Sequence, residues 1–243
     1  MNVDILVFGV HPDDIELSCA GTILAAIAEG KKVGIIDLTQ GELGTRGSAE
    51  TRKVEAENAA KILGVSFREN LKMADGFFAN DEAHQRKIIQ VIRKYIPKII
   101  ICNAPSDRHP DHGRSSKLVT DAAFLSGLRK IETVDDNGNL QQKHRAAYVF
   151  NYIQDKYLEP DFLIDISAHH QKKIESILCY STQFFSTDNN EPQTYISSPM
   201  FLETVKARAM MLGKRIGVEY AEGFISEKML GLKSFDGLIA NET

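Results

Sequence analysis

The order of apolar segments near the start of the chain constrains its fold more than any other feature. A mostly apolar run, Val3 to Val10, precedes a segment from Leu17 to Glu29 in which apolar residues recur at helical spacing, and a second short apolar run, Lys32 to Leu38, follows. Two consecutive strands joined through a helix lie parallel in one sheet, with a right-handed crossover. The sequence therefore predicts an α/β fold, a Rossmann-like, doubly wound, mostly parallel sheet with helices on both faces.

Bulk composition narrows the class of protein. With 243 residues and 43% hydrophobic content, the chain can bury one large core, so residues 1–243 are expected to form a single domain. A net charge of −4 gives no broad attraction to nucleic acid or to anionic lipid, and a small-molecule substrate is expected instead. No apolar stretch is long enough to span a bilayer and the N-terminus lacks the pattern of a signal peptide, which indicates a cytoplasmic location.

Two similar motifs follow two of the apolar runs. His11-Pro12-Asp13-Asp14 comes after the first run, and His109-Pro110-Asp111-His112 comes after a later run, Ile99 to Ala104. Asp13 or Asp14 could simply accept hydrogen bonds from free N–H groups at the start of a helix. In open α/β sheets, however, ligands bind outside the carboxyl ends of the strands, where distant loops meet. The pair of motifs therefore predicts one metal site.

The residue types in these motifs suit a catalytic zinc ion. Such an ion usually has three protein ligands from N, O or S atoms and keeps one position for water. His11, Asp14 and His112 fit that pattern. The same donor set would also accept iron, cobalt or nickel.

The remaining polar residues of the two motifs are candidates for catalysis. Asp13 would be free beside a metal-bound water, where a carboxylate can act as general base. His109 could donate a hydrogen bond to a developing oxyanion or protonate a leaving amine. Asp111 could orient His109.

His-Pro-Asp-Asp-x-Glu followed at a distance by His-Pro-Asp-His resembles the LmbE/PIG-L-like family of zinc-dependent N-deacetylases, and the closing segment Ile216 to Phe224 resembles it too. The resemblance implies the same zinc ligands, His11, Asp14 and His112. It also implies that Asp13 is the base and that His109 stabilises the transition state or acts as an acid. The chain looks closest to the branch that deacetylates N-acetylglucosaminyl-malate in bacillithiol synthesis. Relatives are commonly homo-oligomers such as hexamers, and the resemblance implies the same here.

Three arginines are candidates for binding substrate. The loop Gly41 to Gly47 and the segment Thr51 to Ala56 resemble family patterns, which implies that Arg52 contacts substrate and makes Arg46 a further candidate. Arg108, next to the second motif, could reach an anionic substrate group or could form a salt bridge within its loop. Guanidinium groups match carboxylate geometry, so these side chains could pair with a malate group.

One position departs from the family pattern. Some relatives carry a tyrosine just before the last helix that is proposed to donate a hydrogen bond to the oxyanion, and Phe201 takes that place here. A phenylalanine cannot donate. Either zinc and His109 act without this donor, or nearby Tyr195 replaces it.

The sequence thus predicts zinc-dependent hydrolysis of the acetamide of an N-acetylglucosamine conjugate, with N-acetyl-alpha-D-glucosaminyl L-malate as the expected substrate. Another acetylated amino sugar is the first alternative. A metal-dependent phosphoesterase is the second; such sites usually hold two metals and need more carboxylate ligands than the motifs offer. A non-catalytic sugar- or metal-binding protein is the third, although such a protein would not require Asp13 and His109.

Overall fold

A seven-stranded sheet organises the part of the chain that the computed structural model describes, residues 1–184, 191–232 and 234. The strands are β1 (Ile5–Gly9), β2 (Val33–Thr39), β3 (Phe67–Met73), β4 (Ile99–Cys102), β5 (Tyr148–Tyr152), β6 (Phe162–Asp165) and β7 (Ala221–Ser226). Their order across the sheet is β3-β2-β1-β4-β5-β7-β6. Neighbouring strands from β3 through β5 pair in parallel, whereas β7 pairs antiparallel with both β5 and β6.

The helices are α1 (Asp14–Ala28), α2 (Ala49–Leu63), α3 (Glu82–Tyr95), α4 (Pro110–Leu125), α5 (His170–Leu178) and α6 (Pro199–Ile216). The core cluster on one face of the sheet includes Ile88 of α3 and Leu118 of α4, and the cluster on the other face includes Ile23 of α1. The predicted Rossmann-like α/β fold, with a mostly parallel sheet between helices, is confirmed. Within the described residues, no helix has both the length and the apolar character needed to cross a membrane.

The central strands explain why the first motif lies where it does. Every residue of β1 and β2 is buried, as expected for parallel strands covered on both faces. β1 lies between β2 and β4, so the chain reverses its direction of winding at β1 and leaves a crevice at the carboxyl ends of β1 and β4. The two motifs follow these two strands.

Helix α1 is interrupted one turn after the first motif. Cys19 leaves helical geometry with φ −138°, and the N–H groups of Gly21 and Thr22 donate to the Glu222 carboxylate at 3.0 and 2.7 Å. Lys173 pairs with that carboxylate at 2.6 Å, so the buried charge is compensated. The Glu222 side chain from β7 thus caps the helical segment that begins after Cys19. The first turn of α1, which carries the end of the first motif, lies before this break.

Candidate metal and catalytic site

The carboxyl ends of β1 and β4 bring the histidines of both motifs into one cluster. The ring centroids of His11 and His109 are 4.7 Å apart, and those of His109 and His112 are 5.3 Å apart. A cavity of about 210 Å³ opens over these rings. The two loops therefore meet as the sequence predicts.

Of the three expected ligands, Asp14 lies close to both histidines. Asp14 Oδ1 lies 3.2 Å from His112 Nε2, and Asp14 Oδ2 lies 3.7 Å from His11 Nδ1. One nitrogen from each of His11, His109 and His112 forms a set whose atoms all lie within 4.8 Å of one another. A second such set contains His11, Asp75 and Asp111.

This donor set fits a divalent metal. Imidazole nitrogens and carboxylate oxygens are ligands for zinc and for other first-row metals. Two ligands at about 2.0–2.1 Å from a tetrahedral zinc lie about 3.3 Å apart, close to the 3.2 Å between Asp14 Oδ1 and His112 Nε2. The site could thus hold a metal with little movement of these two atoms.

The Asp14 carboxylate is fixed by hydrogen bonds from several directions. Its Oδ2 accepts from the backbone N–H groups of Val10 and His11 and from Asn103 Nδ2, at 3.0–3.1 Å. Its Oδ1 accepts from Gln154 Nε2 at 2.7 Å. Both backbone donors precede α1, so Asp14 does not cap the free N–H groups of that helix, which was the alternative interpretation of the motif.

Carboxylates also surround His11 and His112, the two histidines expected to bind a metal. His112 Nδ1 bonds to Asp107 Oδ2 at 2.5 Å, which leaves Nε2 directed at Asp14. Burial opposes protonation, but the charge of Asp14 and the hydrogen bond to Asp107 raise the pKa of His112 to about 9. Burial likewise opposes protonation of His11, whereas hydrogen bonds to Asp14 and Asp75 raise its pKa to about 10. The site favours positive charge, whether protons or a metal ion supply it.

Asp13 differs from its neighbours because its carboxylate is buried without a hydrogen bond from any residue that the structure describes. Burial is the main reason that the pKa of Asp13 rises to about 7, and the charge of Arg52 acts in the opposite direction. Its backbone has φ 135°, a conformation that favours glycine. This strain and the lack of partners are typical of a reactive group rather than a structural one.

Asp111 does not orient His109 in the way expected from the sequence. The Asp111 carboxylate accepts from the N–H of Gly76 at 2.8 Å and from Arg114 at 2.6 Å. Its backbone N–H, not its side chain, donates to His109 Nδ1 at 3.3 Å. Because Nδ1 accepts this bond, a neutral His109 carries its proton on Nε2. Burial, together with the charges of His11 and His112, lowers the pKa of His109.

The three candidate arginines occupy different places. Arg52 lines the cavity, where it bonds to Gln183, and its buried Nε has no partner in the structure. Arg46 is buried as well but is not part of the cavity lining. Arg108 lines the cavity and pairs at 3.0 Å with Asp155, which follows β5 and so lies outside the loop in which a salt bridge was the predicted alternative.

Neither of the two aromatic positions places a hydroxyl over the histidines. Phe201 is buried in the core between the helices, next to Phe184. Tyr195 is exposed, its hydroxyl donates to Asp155 Oδ1 at 3.1 Å, and its ring lies under the Arg108 guanidinium. In this structure Tyr195 therefore belongs to the rim of the cavity.

Sequence reasoning missed several residues that shape the site. They are Asp75, Asn103, Asp107 and Gln154. Asn103 directly follows β4, Gln154 lies two residues after β5, and Asp75 lies two residues after β3. Polar residues just past the carboxyl ends of parallel strands were the signal that could have found them.

A family model described as "PIG-L: GlcNAc-PI de-N-acetylase" matches residues 6–123, the part of the chain that carries both motifs. Over these residues the chain is similar to the PIG-L family. Over 223 residues it is 29% identical to the diacetylchitobiose deacetylase of Thermococcus kodakarensis, covering 88% of this chain and 79% of that relative. It is 25% identical to a probable N-acetyl-alpha-D-glucosaminyl L-malate deacetylase 2 of Bacillus anthracis, and the matched region covers 74% of this chain and 81% of that relative. The crystal structure of a conserved protein from Thermus thermophilus superimposes with a TM-score of 0.83 at 36% identity, covering 95% and 98% of the two chains.

The names of the curated relatives bear on the predicted class of enzyme. The curated relatives are named deacetylases, which are hydrolases of amide C–N bonds, so the predicted enzyme class is confirmed. The narrower assignment to the bacillithiol branch stays a prediction.

Proposed function

We propose that this protein is a metal-dependent N-deacetylase that removes the acetyl group from an N-acetylglucosamine-type sugar. The observation that carries the proposal is the contrast within the first motif, where Asp14 is held toward His112 while Asp13 is buried beside them without a hydrogen bond from the described residues. A metal ligand needs to be held in place by neighbouring groups, as Asp14 is. A general base needs a carboxylate that is free to take a proton, as Asp13 is.

Zinc is the proposed metal, and His11, Asp14 and His112 are its proposed ligands. When bound, zinc would polarise the acetamide carbonyl and lower the pKa of water to about 7. His11 Nε2 donates to the Asp75 carboxylate at 2.9 Å, which would fix the imidazole while Nδ1, 3.7 Å from Asp14 Oδ2, stays available to the metal.

The residues around the metal position supply the proton transfers. Asp13 is positioned to take a proton from the attacking water, and Arg52 beside it favours the charged carboxylate before attack. His109, with its proton on Nε2, is positioned to donate to the oxygen that becomes negative as the carbonyl carbon turns tetrahedral. The amine then leaves with a proton from Asp13 or from His109.

The proposed substrate is N-acetyl-alpha-D-glucosaminyl L-malate. The relative of that name from Bacillus anthracis and the buried Arg52 in the cavity support it. The similarity to diacetylchitobiose deacetylase supports the alternative, another acetylated amino sugar. Of the malate conjugate and diacetylchitobiose, only the conjugate carries carboxylates that Arg52 could bind.

The test is amine release from three substrates, the malate conjugate, diacetylchitobiose and N-acetylglucosamine. Each is incubated with zinc-loaded protein and with protein treated with a chelator. Metal-dependent release from any of them supports the deacetylase, and release from the conjugate alone supports the malate assignment. No release from any of them, together with two bound metals per chain, would instead support the phosphoesterase.

A further inference from the structure

We propose that Asn103 and Gln154 are positioning residues that turn the Asp14 carboxylate so that only Oδ1 is available to a metal. The inference rests on the proposed metal-dependent function and adds to it two residues that neither motif contains. It starts from the number of hydrogen bonds that each oxygen of Asp14 accepts.

Oδ2 of Asp14 has no capacity left for a metal. A carboxylate oxygen offers about two lone pairs, and Oδ2 already accepts from two backbone N–H groups and from Asn103 Nδ2, at 3.0–3.1 Å. Oδ1 accepts from Gln154 Nε2 at 2.7 Å, and its remaining lone pair lies toward His112 Nε2 at 3.2 Å. The metal would therefore bind Asp14 through one oxygen.

The Asn103 amide is itself held in one orientation. Ser115 Oγ donates to Asn103 Oδ1 at 3.0 Å, so the NH₂ group must face Asp14. Both Asn103 and Ser115 are fully buried. Asn151 Nδ2 donates to the Asn103 carbonyl oxygen at 2.7 Å and fixes the backbone after β4. The orientation of Asn103 therefore survives when no metal is bound.

Gln154 approaches Asp14 from the neighbouring strand. It lies two residues after β5, lines the cavity and is buried. Its Nε2 occupies one side of Oδ1, and its own Oε1 has no partner in the structure. Without this donor, a second side of Oδ1 would be open, and a metal could approach Asp14 from a direction away from His112.

The test measures metal affinity rather than turnover. Asn103→Leu and Gln154→Met each remove the donor and roughly preserve volume. Zinc dissociation constants are measured by competition with a chromophoric chelator, and removal of such a supporting hydrogen bond is expected to weaken binding about 10–100-fold. Cobalt-loaded variants should also show altered visible absorption, because that spectrum reports coordination geometry.

Gln90→Met is the matched control. Gln90 lies on α3, where its side-chain amide donates to the Val134 carbonyl oxygen and not to the site, so the zinc affinity of this variant should equal that of the unmodified protein.

Unchanged affinity and an unchanged cobalt spectrum in both Asn103→Leu and Gln154→Met would overturn the proposal. If Asn103→Leu does not fold, Gln154→Met alone decides, since it lies at the cavity surface. If the unmodified protein binds no metal, the proposed function itself fails, which is a distinguishable result.

Discussion

Asp13 and Asp14 are adjacent and both buried, yet their carboxylates have opposite surroundings. The Asp14 carboxylate accepts four hydrogen bonds, from Val10, His11, Asn103 and Gln154. The Asp13 carboxylate accepts none from the described residues. The difference arises in the backbone, because Asp13 has φ 135° and its side chain departs from the direction that α1 would give it. Two identical side chains can thus serve as ligand and as base in the same site.

Substituting the two aspartates one at a time should separate these roles. Asp13→Asn should lower kcat by about 10²–10⁴ while zinc remains bound, because a general base contributes that much. Asp14→Asn should lose zinc, since the amide is neutral and a poor ligand. Metal content by atomic absorption and turnover by amine release provide the two readouts. Normal turnover in zinc-loaded Asp13→Asn would contradict the assignment of the base.

Because the backbone at Asp13 is strained, glycine at this position should give a more stable protein than alanine does. Asp13→Gly removes a strain of about 1–3 kcal/mol against an entropic cost of about 0.5–1 kcal/mol for glycine. Asp13→Ala is the control, because it deletes the same carboxylate but keeps the Cβ atom. The free energy of unfolding, measured in urea on metal-free protein, should be about 1 kcal/mol higher for the glycine variant than for the alanine variant. Equal values would mean that the conformation is not strained.

The sequence predicted those parts of the site that local patterns determine. His11 and His112 follow recognisable strands and lie in motifs, so their meeting at the carboxyl ends of β1 and β4 could be predicted. The place of Asp75 just past β3 could also have been predicted, but its contact with His11 could not, because that contact joins residues 64 positions apart and depends on the register between β2 and β3. The side-chain direction of Asp111 was also beyond prediction, since it depends on Gly76 and Arg114.

Metal binding should depend on pH and should release protons. Without metal, His11 with a pKa of about 10 and His112 with a pKa of about 9 are both protonated at neutral pH. Both must be neutral to bind a metal, so about two protons should leave for each zinc bound at pH 7. Affinity should therefore rise with pH up to about 10, the pKa of His11. Calorimetry in buffers of different ionisation enthalpy counts the protons, and a binding constant that does not change between pH 6 and 8 would contradict this picture.

The arginines should differ in their effect on a carboxylate-bearing substrate. Arg52 is buried in the cavity with an unpartnered Nε, so Arg52→Ala should raise KM for the malate conjugate by roughly 10–100-fold, the value of a hydrogen bond to a charged group. Arg108 is half-exposed and already paired with Asp155, so Arg108→Ala should change KM far less. N-acetylglucosamine is the control substrate. An equal rise in KM for both substrates would show that Arg52 does not recognise the malate group.

Acid should destabilise the protein through His170, which lies away from the metal site. Its ring is buried, stacks on Tyr220 with centroids 3.8 Å apart, and has no hydrogen bond from either nitrogen to any residue in the described part of the chain. Burial, aided by the charge of Lys173, lowers the pKa of His170 below its usual 6.5. The unfolded chain therefore binds the proton more readily, so the stability that neutral His170 contributes is complete above pH 6.5 and is lost as pH falls below that value.

His170→Phe keeps the stacking on Tyr220 and cannot bind a proton. The free energy of unfolding of metal-free protein should therefore fall less steeply for this variant than for the unmodified chain between pH 8 and pH 5.5. His169→Phe, at the neighbouring and less buried position, is the control for replacing a histidine. Urea denaturation of the three proteins at both pH values gives six free energies of unfolding. An equal fall between the two pH values for His170→Phe and the unmodified chain would rule out this residue as a source of acid sensitivity.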